Sequence, residues 1–160
     1  MRRFSLVCLY AAGAVAAGCG GADPMPQGPP DGGTFYRCEA ETRAQPYMPG
    51  MTELSRQGMF TAKLLQSEPG PPSKGNNAWT VQILDSAGVP VDGMTMKATP
   101  FMPDHAHGTG VKAVVTPTGS DGTYGIAPLY LFMAGYWEVT LNLTSGSTRD
   151  DVVFPVCISG

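Results

Sequence analysis

YWEVTLNL, residues 136–143, is the stretch on which the fold turns. Trp137, Val139, Leu141 and Leu143 fall on one side of the repeat, and Tyr136, Glu138, Thr140 and Asn142 on the other. A period of two is that of an extended strand with one buried face, because successive side chains point to opposite sides. The same alternation recurs upstream. Phe60, Ala62 and Leu64 share a face in residues 59–66, as do Trp79, Val81 and Ile83 in 78–85. Met94, Met96 and Ala98 do so in 93–100, and Val111, Ala113 and Val115 in 111–116. Residues 123–132 are apolar but interrupted by Pro128, and 152–157, with Phe154, close the series.

Turn signals separate these runs. SEPGPPSKGNN (67–77) is rich in Gly and Pro, Ser86–Pro90 is a break, and Gly119-Ser120-Asp121-Gly122 is of hairpin type. No segment carries a 3.6-residue period, and there is no internal repeat. About seven short strands at this spacing predict an all-β domain, an immunoglobulin-like β-sandwich, over residues 56–160. Trp79, Trp137 and Phe154 are its expected central packing residues.

Composition agrees. Of 160 residues, 21 are Gly and 15 Pro, too many for a helical bundle, while 42% are hydrophobic, enough for a core. The net charge of −3, with no basic block, argues against a nucleic-acid-binding surface.

The N-terminal residues read as an address. Arg2 and Arg3 precede an uncharged, mostly apolar run, 4–17, which is short for a membrane span and suited to a signal peptide. Ala16-Ala17-Gly18-Cys19 resembles a bacterial lipobox. Residues 1–18 are then a lipoprotein signal peptide and Cys19 the lipidated residue. The competing reading is an ordinary secretory signal cleaved nearby. Cleavage before Cys19 removes 18 residues, leaving 142 with 8 basic and 13 acidic side chains. Such a surface has little attraction for anionic head groups, so attachment to the membrane rests on the acyl chains. GGADPMPQGPPDGG (20–33) is a flexible spacer, and 19–55 as a whole are an anchored tether and extension. Residues 34–55 are expected to lie along the domain without forming a full strand. Gly20 fits sorting to the outer membrane or cell surface, by analogy with well-studied bacteria.

Outside the cytoplasm the two cysteines left in the body of the chain, Cys38 and Cys157, are expected to pair. The alternative, a thiolate metal or redox site, lacks both a CxxC and a neighbouring His.

Catalytic signatures are absent: no GxSxG, Walker loop, GxGxxG or HExxH occurs. Asp150-Asp151 reads as a solvated strand start, since adjacent strand residues face opposite ways. Asn142-Leu143-Thr144 reads as an ordinary strand end. An enzyme is not expected. The one dense constellation is FMPDHAHGT, residues 101–109, which holds both histidines of the chain. In an extended segment His105 and His107 share a face, and Met102 lies just upstream. Imidazole with thioether is a soft donor set suited to Cu(I), with Asp104 as a further ligand or ring-orienting group. The competing reading is a loop locked by histidine hydrogen bonds, with Met94 and Met96 as core filler. A second cluster, LYLFMAGYW (129–137), is more apolar than one sheet face needs. It reads either as a buried loop and strand or as an exposed aromatic patch for a partner.

Together the two clusters carry a resemblance. MPDHAHGT (102–109), followed by GTYGIAPLYLFMAGYWEVTL (122–141), resembles the YtkA-like domain family, related to FixH-like proteins. The likeness covers 77–157. It departs at Ala134, where proline commonly precedes the glycine. The resemblance implies an extracytoplasmic immunoglobulin-like β-sandwich, in a family some of whose members are associated with cation-pump or cytochrome-oxidase assembly, a copper-handling context. The expectation is therefore a non-enzymatic, lipid-anchored binding module that engages an extracytoplasmic protein partner. The alternative is a copper-binding protein that uses His105, His107, Met102 and Asp104. No cofactor other than copper is suggested.

Overall fold

A computed structural model describes residues 35–119 and 121–160. The signal peptide, Cys19, the spacer and Ser120 lie outside the described residues. Nine strands form two antiparallel sheets. They are β1 (Met51–Leu54), β2 (Phe60–Glu68), β3 (Gly75–Asp85), β4 (Thr95–Met102), β5 (His107–Gly108), β6 (Val114–Pro117), β7 (Thr123–Leu131), β8 (Gly135–Ser145) and β9 (Thr148–Ile158). One sheet runs β1-β2-β3-β7-β6, the other β5-β4-β8-β9. This is the predicted β-sandwich, with two short strands beyond the seven that alternation marks.

The inward faces are those the period-two reading assigns except in the 111–116 run, where the strand is Val114–Pro117 and Val111, ahead of it, is 39% exposed. Leu64, Val81, Ile83, Val139 and Leu141 are wholly buried. Trp79 on β3 meets Phe154 on β9 edge-on, ring centroids 5.7 Å apart, so this pair joins the two sheets. Trp137 and Phe154 have no exposure and Trp79 1%. The Trp79 indole N–H has no hydrogen-bond partner. Met94 is core and Met96 packs against it, as the filler reading has it.

Three expectations are corrected. Pro128 does not break its strand. β7 runs through it, and pairing with β3 slips between Asn77 and Trp79, so that Ala127 and Pro128 together face Ala78 and the bulge takes up the residue that has no N–H to donate. Residues 34–55 are not strandless, because Met51–Leu54 pairs with Leu64–Thr61, and the sheet thus begins ahead of residue 56. Asp150 is not solvated. Only 4% exposed, it accepts backbone N–H bonds from Gln57 (3.1 Å), Met59 (3.3 Å) and Asp151 (2.8 Å). Its neighbour Asp151 faces outward and accepts from the exposed Asn142 amide at 2.7 Å.

Residues 35–47 form an arm over β9 and the outer side of β8. Cys38 is bonded to Cys157, 119 residues away. The Gln45 N–H donates to the Pro155 carbonyl at 3.3 Å, and that of Gly160 to the Tyr36 carbonyl at 3.3 Å. Tyr136 belongs to the outer face of β8 yet is only 6% exposed, because the arm covers it.

Candidate functional site

The MPDHAHG segment is a hairpin. β4 ends at Met102, a 3₁₀ turn spans Pro103–His105, Ala106 takes a left-handed conformation (φ 53°), and His107-Gly108 return along β4. Met102 lies opposite His107 and Phe101 opposite Gly108. Glycine at 108 is dictated by close approach: a Cβ there would meet the Pro100 carbonyl oxygen at 2.7 Å. The two histidines do come together, their ring centroids 5.6 Å apart. They meet across this turn rather than along an extended segment.

The second cluster supplies the other wall. His107 stacks on Phe132 at 5.5 Å and 21°, Phe132 stacks on Tyr130 at 6.0 Å and 22°, and both His107 and Phe132 meet the edge of Trp137. The histidine loop and the LYLFMAGYW segment thus share one rim. Leu129, Leu131 and Trp137 turn inward, while Phe132 is 37% exposed. The Trp137 indole N–H donates to the Met133 carbonyl at 3.0 Å, which fixes the turn into β8. Gly135 has φ +135°, and a Cβ there would collide with the Met102 methyl.

The donor set divides. Directly opposed residues of an antiparallel pair project to the same face, about 4.5–5.5 Å apart at Cβ. Met102 and His107 therefore share the inner side, Met102 at 1% exposure. His107 Nδ1 is buried and has no hydrogen-bond partner. Asp104 is engaged elsewhere: its two oxygens accept from Nη1 and Nη2 of Arg43 at 2.6 and 2.7 Å. Asp104 thereby ties the loop to the arm. Among the described residues no three His, Cys, Asp or Glu side chains converge on a metal-sized site.

Arg43, which nothing in the sequence signals, organises the loop's outer flank. It bonds Glu41 through Nε (2.9 Å) and Nη2 (2.7 Å) as well as Asp104, and lies 4.2 Å above the Tyr136 ring. Its guanidinium holds the Asp104 carboxyl below the usual range. With the Tyr36 hydroxyl it also holds Glu41 down to about 2. Burial, reinforced by Glu138, pushes Tyr136 up to about 12.

The family model described as YtkA-like matches residues 59–142, just over half of the chain. The match contains both walls of this rim and excludes the arm, β9 and the disulfide. No curated protein and no solved structure matches the chain.

Proposed function

Since the chain belongs to the YtkA-like family, we propose that it is a non-enzymatic binding module held outside the cytoplasm by lipid on Cys19. Its recognition surface for a protein partner is the rim formed by the histidine loop and Phe132. The observation that carries this reading is the stacked column Tyr130–Phe132–His107, whose middle ring, Phe132, is 37% exposed. Rigid, pre-stacked aromatic side chains lose little entropy on binding and concentrate interface energy. The lipobox, the spacer and the absence of catalytic signatures support the remainder. A photo-crosslinking residue at position 132, used in intact membranes, should yield one reproducible protein adduct. The same residue at Val89, exposed on a distant turn, should not. Identical adduct patterns from both positions, or none, defeat the reading.

A second reading, copper binding, is favoured by one observation: the paired imidazoles with the unpartnered His107 Nδ1. Two imidazoles bound to one ion through nitrogen at about 2.0–2.1 Å bring their ring centroids to roughly 5–6 Å, and the pair here stands at 5.6 Å. Met102 would supply the thioether that favours Cu(I). Copper titration of the full-length protein, under reducing and oxidising conditions, tests it. One equivalent lost in the His105→Ala/His107→Ala double variant supports copper handling. Unchanged affinity in that variant removes it.

A further inference from the structure

A cavity among the described residues lies away from the histidine rim. It measures about 570 Å³, within the roughly 300–1,000 Å³ of small-molecule sites. One wall is the arm (Pro46, Tyr47), the other the β2–β3 loop (Pro71, Pro72), and the floor is Val156 beside the Cys38–Cys157 bond. Except for the loop, these parts lie outside the family match at 59–142.

Its walls are fixed without a ligand. The Ser67 N–H donates to the Tyr47 hydroxyl at 2.9 Å. Gly70 packs so closely that a Cβ there would meet the Ser67 carbonyl at 2.8 Å and the Tyr47 hydroxyl at 3.3 Å. The Gln45–Pro155 bond and the disulfide hold the arm. Two carboxylates stand at the edge, Glu39 and Glu41. Glu41 is tied to Arg43, which it shares with Asp104. Glu39 has no cation within ion-pair distance among the described residues. The site therefore offers a ring-sized apolar space next to Glu39, a carboxylate with no ion-pair partner among the described residues.

We infer that this cavity binds a small organic ligand that combines a compact apolar body with a single amino or guanidino group. The apolar body fills the space between Tyr47 and Pro72, and the cation pairs with Glu39. This goes beyond the rim proposed above and stands independently of it.

Three probes with one ring system and different charge test it: tryptamine, 3-methylindole and indole-3-acetate, titrated into the ¹⁵N-labelled full-length protein. Saturable amide shifts are expected at Ala44, Tyr47, Ser73 and Val156, with tryptamine binding tightest. An exposed ion pair is worth about 0.2–1 kcal/mol. Tryptamine should accordingly exceed 3-methylindole by up to about fivefold, with indole-3-acetate weaker than both. Glu39→Gln should erase the gap between the amine and the neutral probe, and Ala44→Trp should fill the cavity and abolish binding. The His105→Ala/His107→Ala protein should bind tryptamine normally, which keeps this result separate from that of the rim. The inference is overturned if none of the probes moves those amides, or if the anion binds as well as the amine. It is also overturned if Glu39→Gln leaves the order unchanged, and that variant decides the matter even where Ala44→Trp fails to fold.

Discussion

Asp150 holds together a corner of the sandwich. Burial alone would raise its pKa. The Ser55 hydroxyl and the N–H groups of Asp151, Gln57 and Met59 outweigh that cost and hold it below the ordinary value. Stabilisation from a depressed carboxyl is fully present above its unfolded pKa, about 3.9 for Asp, and is lost as pH falls through the lower folded value. Denaturant titrations at pH 7 and at successively lower pH should show that loss. Asp150→Ala should destabilise the protein at pH 7 by about 1–3 kcal/mol, because part-buried backbone donors lose their acceptor, and should flatten the acid dependence. A variant as stable as the parent would mean that water reaches those donors. No local sequence signal marks this role, since Gln57 and Met59 are 93 and 91 residues away. Adjacent aspartates at a strand start look solvated until the partner segment is placed.

At the level of elements, the histidine hairpin is controlled from outside its own sequence. Arg43 of the arm and Asp104 of the turn are 61 residues apart, and their side chains are 44% and 40% exposed. Exposed pairs add little to global stability and act on local geometry. Arg43→Gln should shift the melting temperature by less than about 2 °C, yet change the imidazole NMR signals of His105 and His107 and speed amide exchange at Ala106. Unchanged imidazole signals would show that the turn is shaped by β4 and β5 alone. The hairpin's own residues were legible: both histidines do meet, and Gly108 sits where only glycine fits. The strand β5 was not. Two residues are too few to display a period, and β1, at four, is scarcely longer.

For the whole molecule the decisive bond is Cys38–Cys157. It closes a loop of 119 residues, which in the chain-entropy model is worth up to about 4–5 kcal/mol, usually less in practice. Urea titration of the oxidised protein against the Cys38→Ser/Cys157→Ser protein should show a loss of about 2–5 kcal/mol. Tyr136 should become accessible as the arm lifts. A difference below about 1 kcal/mol would mean that Arg43 and the arm's backbone bonds suffice to hold it.

The sequence alone determined the seven main strands, the inward faces of the runs at 59–66, 78–85, 93–100 and 136–143, and the core trio Trp79, Trp137 and Phe154. Alternation is local: it is written into successive side chains of one segment and survives without knowledge of any other. The cysteine pairing was legible for a different reason, because few partners were available. Tertiary structure alone decided that the outward-facing Tyr136 is covered and that Asp150, on the inward side of β9, meets backbone donors there. It alone also brought Phe132 onto His107, gave Asp104 to Arg43 and enclosed a cavity between the arm and the β2–β3 loop. Each of these depends on segments far apart in the chain, and sequence spacing carries no measure of their distance in space.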